Sequence, residues 1–185
     1  LWTASFISFN GDAMRELGAQ FLALAEKQGA TIPLMIGHRL FATSLAWTGD
    51  LAEGLAHFDQ ARALYDPSKH RPLAMRFGQD HLISVLSHRS HVLWALGYSD
   101  AALADPESVI KDARQIGQAP TLMFALSGTV TTHIYCRNYA AASALVDELV
   151  AMADQKEASY WKALGMLEKG SLFAVAGKPL DAVQI

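Results

Sequence analysis

The sequence predicts an all-α fold: about nine antiparallel helices wound into a right-handed αα superhelix with a period near 40 residues. Three observations carry this. Apolar residues recur at helical spacing, and no segment sustains strand alternation. Short turns divide the chain at regular intervals. The 185 residues are 51% apolar, enough to bury a substantial core and too hydrophobic for a disordered chain.

The turn markers are Phe9-Asn10-Gly11, Gly49-Asp50, Gly97-Tyr98, Arg137-Asn138 and Gly177-Lys178. Counted from the first residue of each, they stand 40, 48, 40 and 40 residues apart. The excess of eight falls within DPSKHRPLAMRFGQD, residues 66–80. Helix-turn-helix units are therefore expected over 1–29, 33–65, 79–117, 120–155 and 159–185, with an inserted strap at 66–79. The last unit is truncated within its second helix, Leu180–Ile185. Neither end offers the polar capping repeat that a solenoid needs, so a piece of a longer array is expected.

Each element has its own local reason. PLMIGHRLFATSLAW (33–47) carries Leu34, Phe41, Leu45 and Ile36, Leu40, Trp47 at helical spacings, and Pro33 suits a first turn. LAEGLAHFDQARALY (51–65) sets Leu51, Leu55, Phe58, Arg62 and Tyr65 on one side, with Ala56, Ala61 and Ala63 raising helix propensity. In the strap, Asp66-Pro67 ends a helix and Asp80 caps the next. Arg71-Pro72 favours extended backbone. Leu73, Met75 and Phe77 alternate with smaller or polar residues, so an ordered strap packed along one side is expected. Its basic groups (Lys69, His70, Arg71, Arg76) could bind an acidic partner or pair with Asp66 and Asp80, and pairing is the favoured expectation. Pro106 falls inside a second helix, where Phe58 stands one unit earlier. A kink or break is expected at 104–106, with a helix restarting at Pro106 under an Asp105 cap. Five residues after each marker stand Gly54, Ala102, Ala142 and Ala182, small where helices cross closely.

The stretch GDLAEGLAHFDQARALYDP (49–67), with its Gly-Asp turn, Gly54, Phe58, Ala61, Leu64 and Pro67, resembles the tetratricopeptide repeat. The period of 40 exceeds that family's usual ~34 residues by close to one extra turn in each helix. Residues 39–80, above all HRPL (70–73) and RFGQD (76–80), look similar to the C-terminal helical region of bacterial class III adenylate/guanylate cyclase proteins. There a cyclase domain and an ATPase module precede the repeats. The resemblance implies an interaction or regulatory scaffold within a larger bacterial signalling protein, with no catalytic domain in this stretch.

Composition and motifs agree with a non-enzyme. The formal net charge of −3 points to neither nucleic acid nor an acidic membrane surface. No apolar run approaches the ~18 residues of a membrane span, and LWTASFISF lacks the basic start of a signal peptide. A single cysteine, Cys136, forbids an intrachain disulfide and fits a reducing cytoplasm; its place at the end of an apolar helix reads as structural. No phosphate loop, GxSxG, HExxH or CxxC is present. Asp147-Glu148 and Asp154 read as a solvated face. His81, His88 and His91 form a stripe on one helix, and imidazoles at i, i+3 can share a metal. No carboxylate or cysteine nearby in sequence completes a shell, so neither metal nor cofactor is expected.

The concave groove formed by first helices is the candidate site. Six residues before each marker stand Thr43, His91, Thr131 and Ser171; ten before stand Arg39, Ser87, Ser127 and Leu167; two before stand Trp47, Ala95, Tyr135 and Val175. The expected groove set is Arg39, Thr43, Trp47, Ser87, His88, His91, Ser127, Thr131, Tyr135 and Ser171. Hydroxyls flanked by aromatics suit an extended peptide, a partner helix, or upstream domains of the same polypeptide. The alternatives are that the parent polypeptide carries cyclase or ATPase activity outside this chain, and that exposed apolar faces serve self-association into a homo-oligomer.

Overall fold

The computed structural model describes residues 1–177 and 182; Lys178 and the helix expected at 180–185, Ala182 apart, lie outside the described residues. The chain is all-helical. Its elements are α1 (Trp2–Ile7), α2 (Gly11–Gln28), α3 (Thr31–Trp47), α4 (Leu51–Ala63), the short turns α5 (Pro67–His70), a 3-10 turn (Arg71–Leu73) and α6 (Ala74–Phe77), then α7 (His81–Ala95), α8 (Ser99–Ile116), α9 (Ala119–Tyr135), α10 (Tyr139–Gln155) and α11 (Ser159–Val175). Among the described residues there is no strand.

Tight reversals join the helices. Backbone φ is positive at Phe9, Gly49, Gly97, Arg137 and Gly177, the first residue of each marker. At Gly49 the N–H donates to the Ala46 carbonyl at 3.4 Å, and the Asp50 N–H reaches back to the Leu45 carbonyl at 2.9 Å. The same pair of bonds closes α7 at Gly97-Tyr98 and α9 at Arg137-Asn138. This doubly bonded stop satisfies carbonyls that a helix end leaves open, and the next helix begins at once. Asn10 shows the economy of the turn: its side chain caps α2 by accepting from the Ala13 N–H at 3.1 Å.

Packing follows the same rhythm. The hairpins α1/α2, α3/α4, α7/α8 and α9/α10 each lay their second helix against the first helix of the following unit, and α9 also touches α7 and α11. The buried clusters obey this order. Met35 and Ala42 of α3 meet Phe58 and Ala61 of α4 and Val85 and Val92 of α7. Ile83 and Leu86 of α7 meet Val109 and Ala113 of α8 and Ala125 of α9. Val130 of α9 meets Ala142 and Val146 of α10 and Leu172 of α11. The core is a row of three-helix contacts, each local in the chain. Close approach needs small residues: a Cβ on Gly54 would lie 3.1 Å from the Ala42 carbonyl oxygen, and Ala102 and Ala142 are fully buried. On α4 the inward face is Gly54, Phe58 and Ala61; Arg62, expected on that face, is exposed.

Two local expectations are corrected. Helix α8 runs unbroken from Ser99 to Ile116 through Pro106. Asp105 is no cap: its carboxylate accepts from Arg89 Nη1 of α7 at 2.7 Å. Ala102 before it and Val109 and Ala113 after it are all buried. Anchors on both sides thus offset the ~3 kcal/mol that an interior proline costs. The strap is ordered but not extended. Arg71 is helical, at φ −54 and ψ −42, despite the following proline. His70, Ala74 and Asp80 are the buried residues, while Met75 and Phe77 are exposed. Helical stacking replaces the expected alternation because His70 turns inward, its Nδ1 accepting from the Asp66 N–H at 2.7 Å. Lys69 pairs with Asp66, but Arg71 pairs with Asp112 of α8. Asp80 instead accepts from the Tyr65 hydroxyl at 2.7 Å and caps α7 at the Leu82 and Ile83 N–H groups.

Candidate functional site: the central cavity

One cavity of about 420 Å³ opens on the face formed by the first helices. Trp2, Thr3, Phe6 and Ile7 of α1 line one side, with Ile36, Arg39 and Thr43 of α3. His81, Ser84 and His88 of α7 line the middle, with Phe124 of α9 and Tyr160 and Trp161 of α11 beyond. Phe77 and Gln79 of the strap close it from the side. The wall is largely aromatic. Trp2 stacks on Phe6, with ring centroids 5.5 Å apart, and donates its indole N–H to Ser44 Oγ at 2.9 Å, which ties α1 to α3. Phe124 meets Trp161 edge-on at 6.1 Å.

Arg39 is the charged residue in this lining. Its Nη1 lies 3.3 Å from Ser84 Oγ, its Nε is buried without a partner, and no carboxylate among the described residues lies within 4 Å of it. Burial pushes its pKa down to about 10, so the guanidinium is charged at neutral pH. His81 is 4% exposed, and neither ring nitrogen has a partner. Burial, then the neighbouring Arg39 and His70, push its pKa down to about 3. His88 is pushed to about 3 by burial, then by His91, with Arg39 a lesser cause. Both rings are therefore neutral at pH 7, each with a single N–H.

The expected groove residues divide into two groups. Arg39, Thr43 and His88 line the central cavity. Trp47, His88, His91 and Tyr135 line a smaller apolar pocket of about 170 Å³, with Trp94 stacked on Tyr135 at 4.4 Å. Several of the expected residues have their hydroxyls bonded within their own helix or lie in the seams between helices. Thr43 is 1% exposed, and its hydroxyl donates to the Arg39 carbonyl of its own helix at 2.9 Å. Ser87 is buried against Gly128 of α9, where an added Cβ would lie 2.6 Å from the Ser87 Cβ. Ser127 donates to Glu168 Oε1 of α11 at 2.5 Å. Ser171 donates back to the Leu167 carbonyl at 2.9 Å. Thr131 is half-buried and lines neither cavity. His91 Nε2 lies 3.0 Å from the Gly128 carbonyl oxygen and serves the same seam.

Residues absent from the expected set supply most of the wall. Ile36, Ser84 and Phe124 each stand thirteen positions before a turn marker, and His81 and Trp161 sixteen before. They continue the Arg39 face by one and then nearly two helical turns toward the N-terminus. Helical spacing alone could have found them. Among the described residues, no group of three or more His, Cys, Asp or Glu could hold a metal; the rings of His88 and His91 sit edge-on at 6.3 Å. Cys136 is half-buried, and burial followed by Asp100 raises its thiol pKa, which keeps it protonated. No described helix is long and apolar enough to cross a membrane. No family model matches the chain, and no curated protein matches it.

Proposed function

We propose that the chain is a non-catalytic interaction and regulatory scaffold: a tetratricopeptide-like, right-handed αα superhelix whose first helices recognise a protein or peptide segment. The observation that carries this reading is the composition of the cavity wall. It draws on α1, α3, α7, α9 and α11 and on the strap, and on none of the second helices α2, α4, α8 and α10. A surface built from one helix per hairpin is what an extended segment or partner helix can read along its length. On this proposal the array works in the cytoplasm within a larger bacterial signalling polypeptide, as the likeness of residues 39–80 suggests. Its occupant is then a separate protein or that polypeptide's upstream domains.

Peptide-display selection against the chain tests the reading, followed by binding to three variants. Thr3→Trp and Tyr160→Ala alter the exposed rim of the cavity, while Lys111→Trp alters an exposed position on α8. Selected segments should bind the Lys111 variant like the wild type and lose about tenfold or more on the two rim variants. Equal binding to all three would remove the concave face from the reading.

A further inference from the structure

We infer that the central cavity is a binding site for a small organic monocarboxylate with an apolar or aromatic body, its carboxylate seated on Arg39. The inference goes beyond the proposed peptide recognition: it gives the cavity on the same first-helix face a small-molecule ligand.

Arg39 is the exception among the arginines. Arg15, Arg71, Arg89 and Arg114 are each paired with a carboxylate. Arg62, Arg76 and Arg137 are exposed. Arg39 and Arg71 both have a buried, unpartnered Nε, but Arg71 has Asp112 as a counter-ion, whereas Arg39 has only a serine hydroxyl at 3.3 Å. A half-buried guanidinium without a counter-ion leaves charge that an anion arriving in the cavity would neutralise, with fewer waters to compete for it than at an open surface. The planar guanidinium suits a carboxylate held by two parallel hydrogen bonds. His81 stands in the same lining, nearly sealed and with both ring nitrogens unpartnered.

Charge and shape narrow the ligand. No acidic residue and no second cation stand in the described lining, and burial keeps His81 and His88 neutral. One positive charge matches one negative charge; a phosphate dianion would leave half its charge unbalanced. The walls of Trp2, Phe6, Phe124 and Trp161 offer nothing to a bare inorganic anion and much to an apolar body. The volume of about 420 Å³ lies in the range of small-molecule sites.

Calorimetric titration with 1-naphthaleneacetate, its neutral isostere 1-naphthaleneacetamide, benzoate and octanoate tests the site. At least one carboxylate should bind, and naphthaleneacetate should bind roughly tenfold or more tightly than its amide, as a charge-assisted hydrogen bond predicts. Arg39→Met should abolish that preference, and Arg39→Lys should keep part of it. Should the Met variant fail to fold, Thr3→Trp on the exposed rim must weaken naphthaleneacetate binding. The inference falls if none of the carboxylates binds the wild type, if the amide binds as well as the acid, or if Arg39→Met keeps the preference. Carboxylate binding without any selected peptide would keep this site and remove the scaffold reading. Peptide binding with no carboxylate bound would do the reverse.

Discussion

Glu168 on α11 is 8% exposed, with Oε1 accepting from Ser127 and Oε2 unpartnered among the described residues. Burial raises its pKa from 4.5 to about 7, against the pull of the Ser127 hydrogen bond. A folded-state pKa above the unfolded one contributes stability below about pH 4.5 that is lost as pH rises through about 7. The histidines act in the other direction. His81 and His88 are pushed to about 3, and His38, His57, His91 and His133 are also lowered, burial coming first in each. Their contribution is complete above 6.5 and is lost as pH falls toward the folded values. His38 and His57 illustrate the need for neutrality: their Nδ1 atoms lie 2.8 Å apart, so one ring must accept. Thermal melts should therefore show Tm falling below pH 6. Glu168→Gln should raise Tm more at pH 8 than at pH 5, because at pH 8 it removes a buried, half-satisfied carboxylate. An equal shift at both pH values would contradict the assignment.

At the scale of elements, Arg89 is the principal polar tie. From α7 it reaches Asp59 of α4 and Asp105 of α8, each at 2.7 Å, and the pair with Asp105 is largely buried. Removing one partner of a buried pair strands the other charge. Arg89→Met should cost about 3 kcal/mol in denaturant unfolding, and adding Asp105→Asn should restore part of it. A cost under about 1 kcal/mol would place the pair with ordinary surface ion pairs. The same tie explains why Pro106 misleads. Propensity argues for a break, but an interior proline is tolerated where the surfaces before and after it are both anchored. The turns, by contrast, are legible because a left-handed reversal is local chemistry: Gly49, Gly97 and Gly177 announce it, and Asn10 and Asn138 follow it. The polar columns mislead differently. Ser87, Ser127 and Thr43 sit where groove hydroxyls would, yet Ser127 bonds to a neighbouring helix, Thr43 to its own, and Ser87 is packed against Gly128 with its hydroxyl unpartnered among the described residues. Spacing assigns a helix face, but it does not say whether that face meets solvent or the next helix.

For the whole molecule, the all-helical class follows from the 3.6-residue pattern and regular punctuation, since each buried cluster is built from helices adjacent in sequence. The cavity is less legible because it depends on how non-adjacent first helices meet. Arg39, Thr43 and His88 belong to the expected set, but Trp2, Phe77 and Trp161 come from parts of the chain up to 159 positions apart. The four tryptophans offer a direct test of whether that surface recognises a ligand. Trp2 and Trp161 line the central cavity, whereas Trp47 and Trp94 line the smaller pocket. In ¹⁵N-resolved NMR spectra, titration with 1-naphthaleneacetate should shift the indole N–H signals of Trp2 and Trp161 and leave those of Trp47 and Trp94 in place. Shifts confined to Trp47 and Trp94, or no shift at any of the four, would contradict the central cavity as the recognition site.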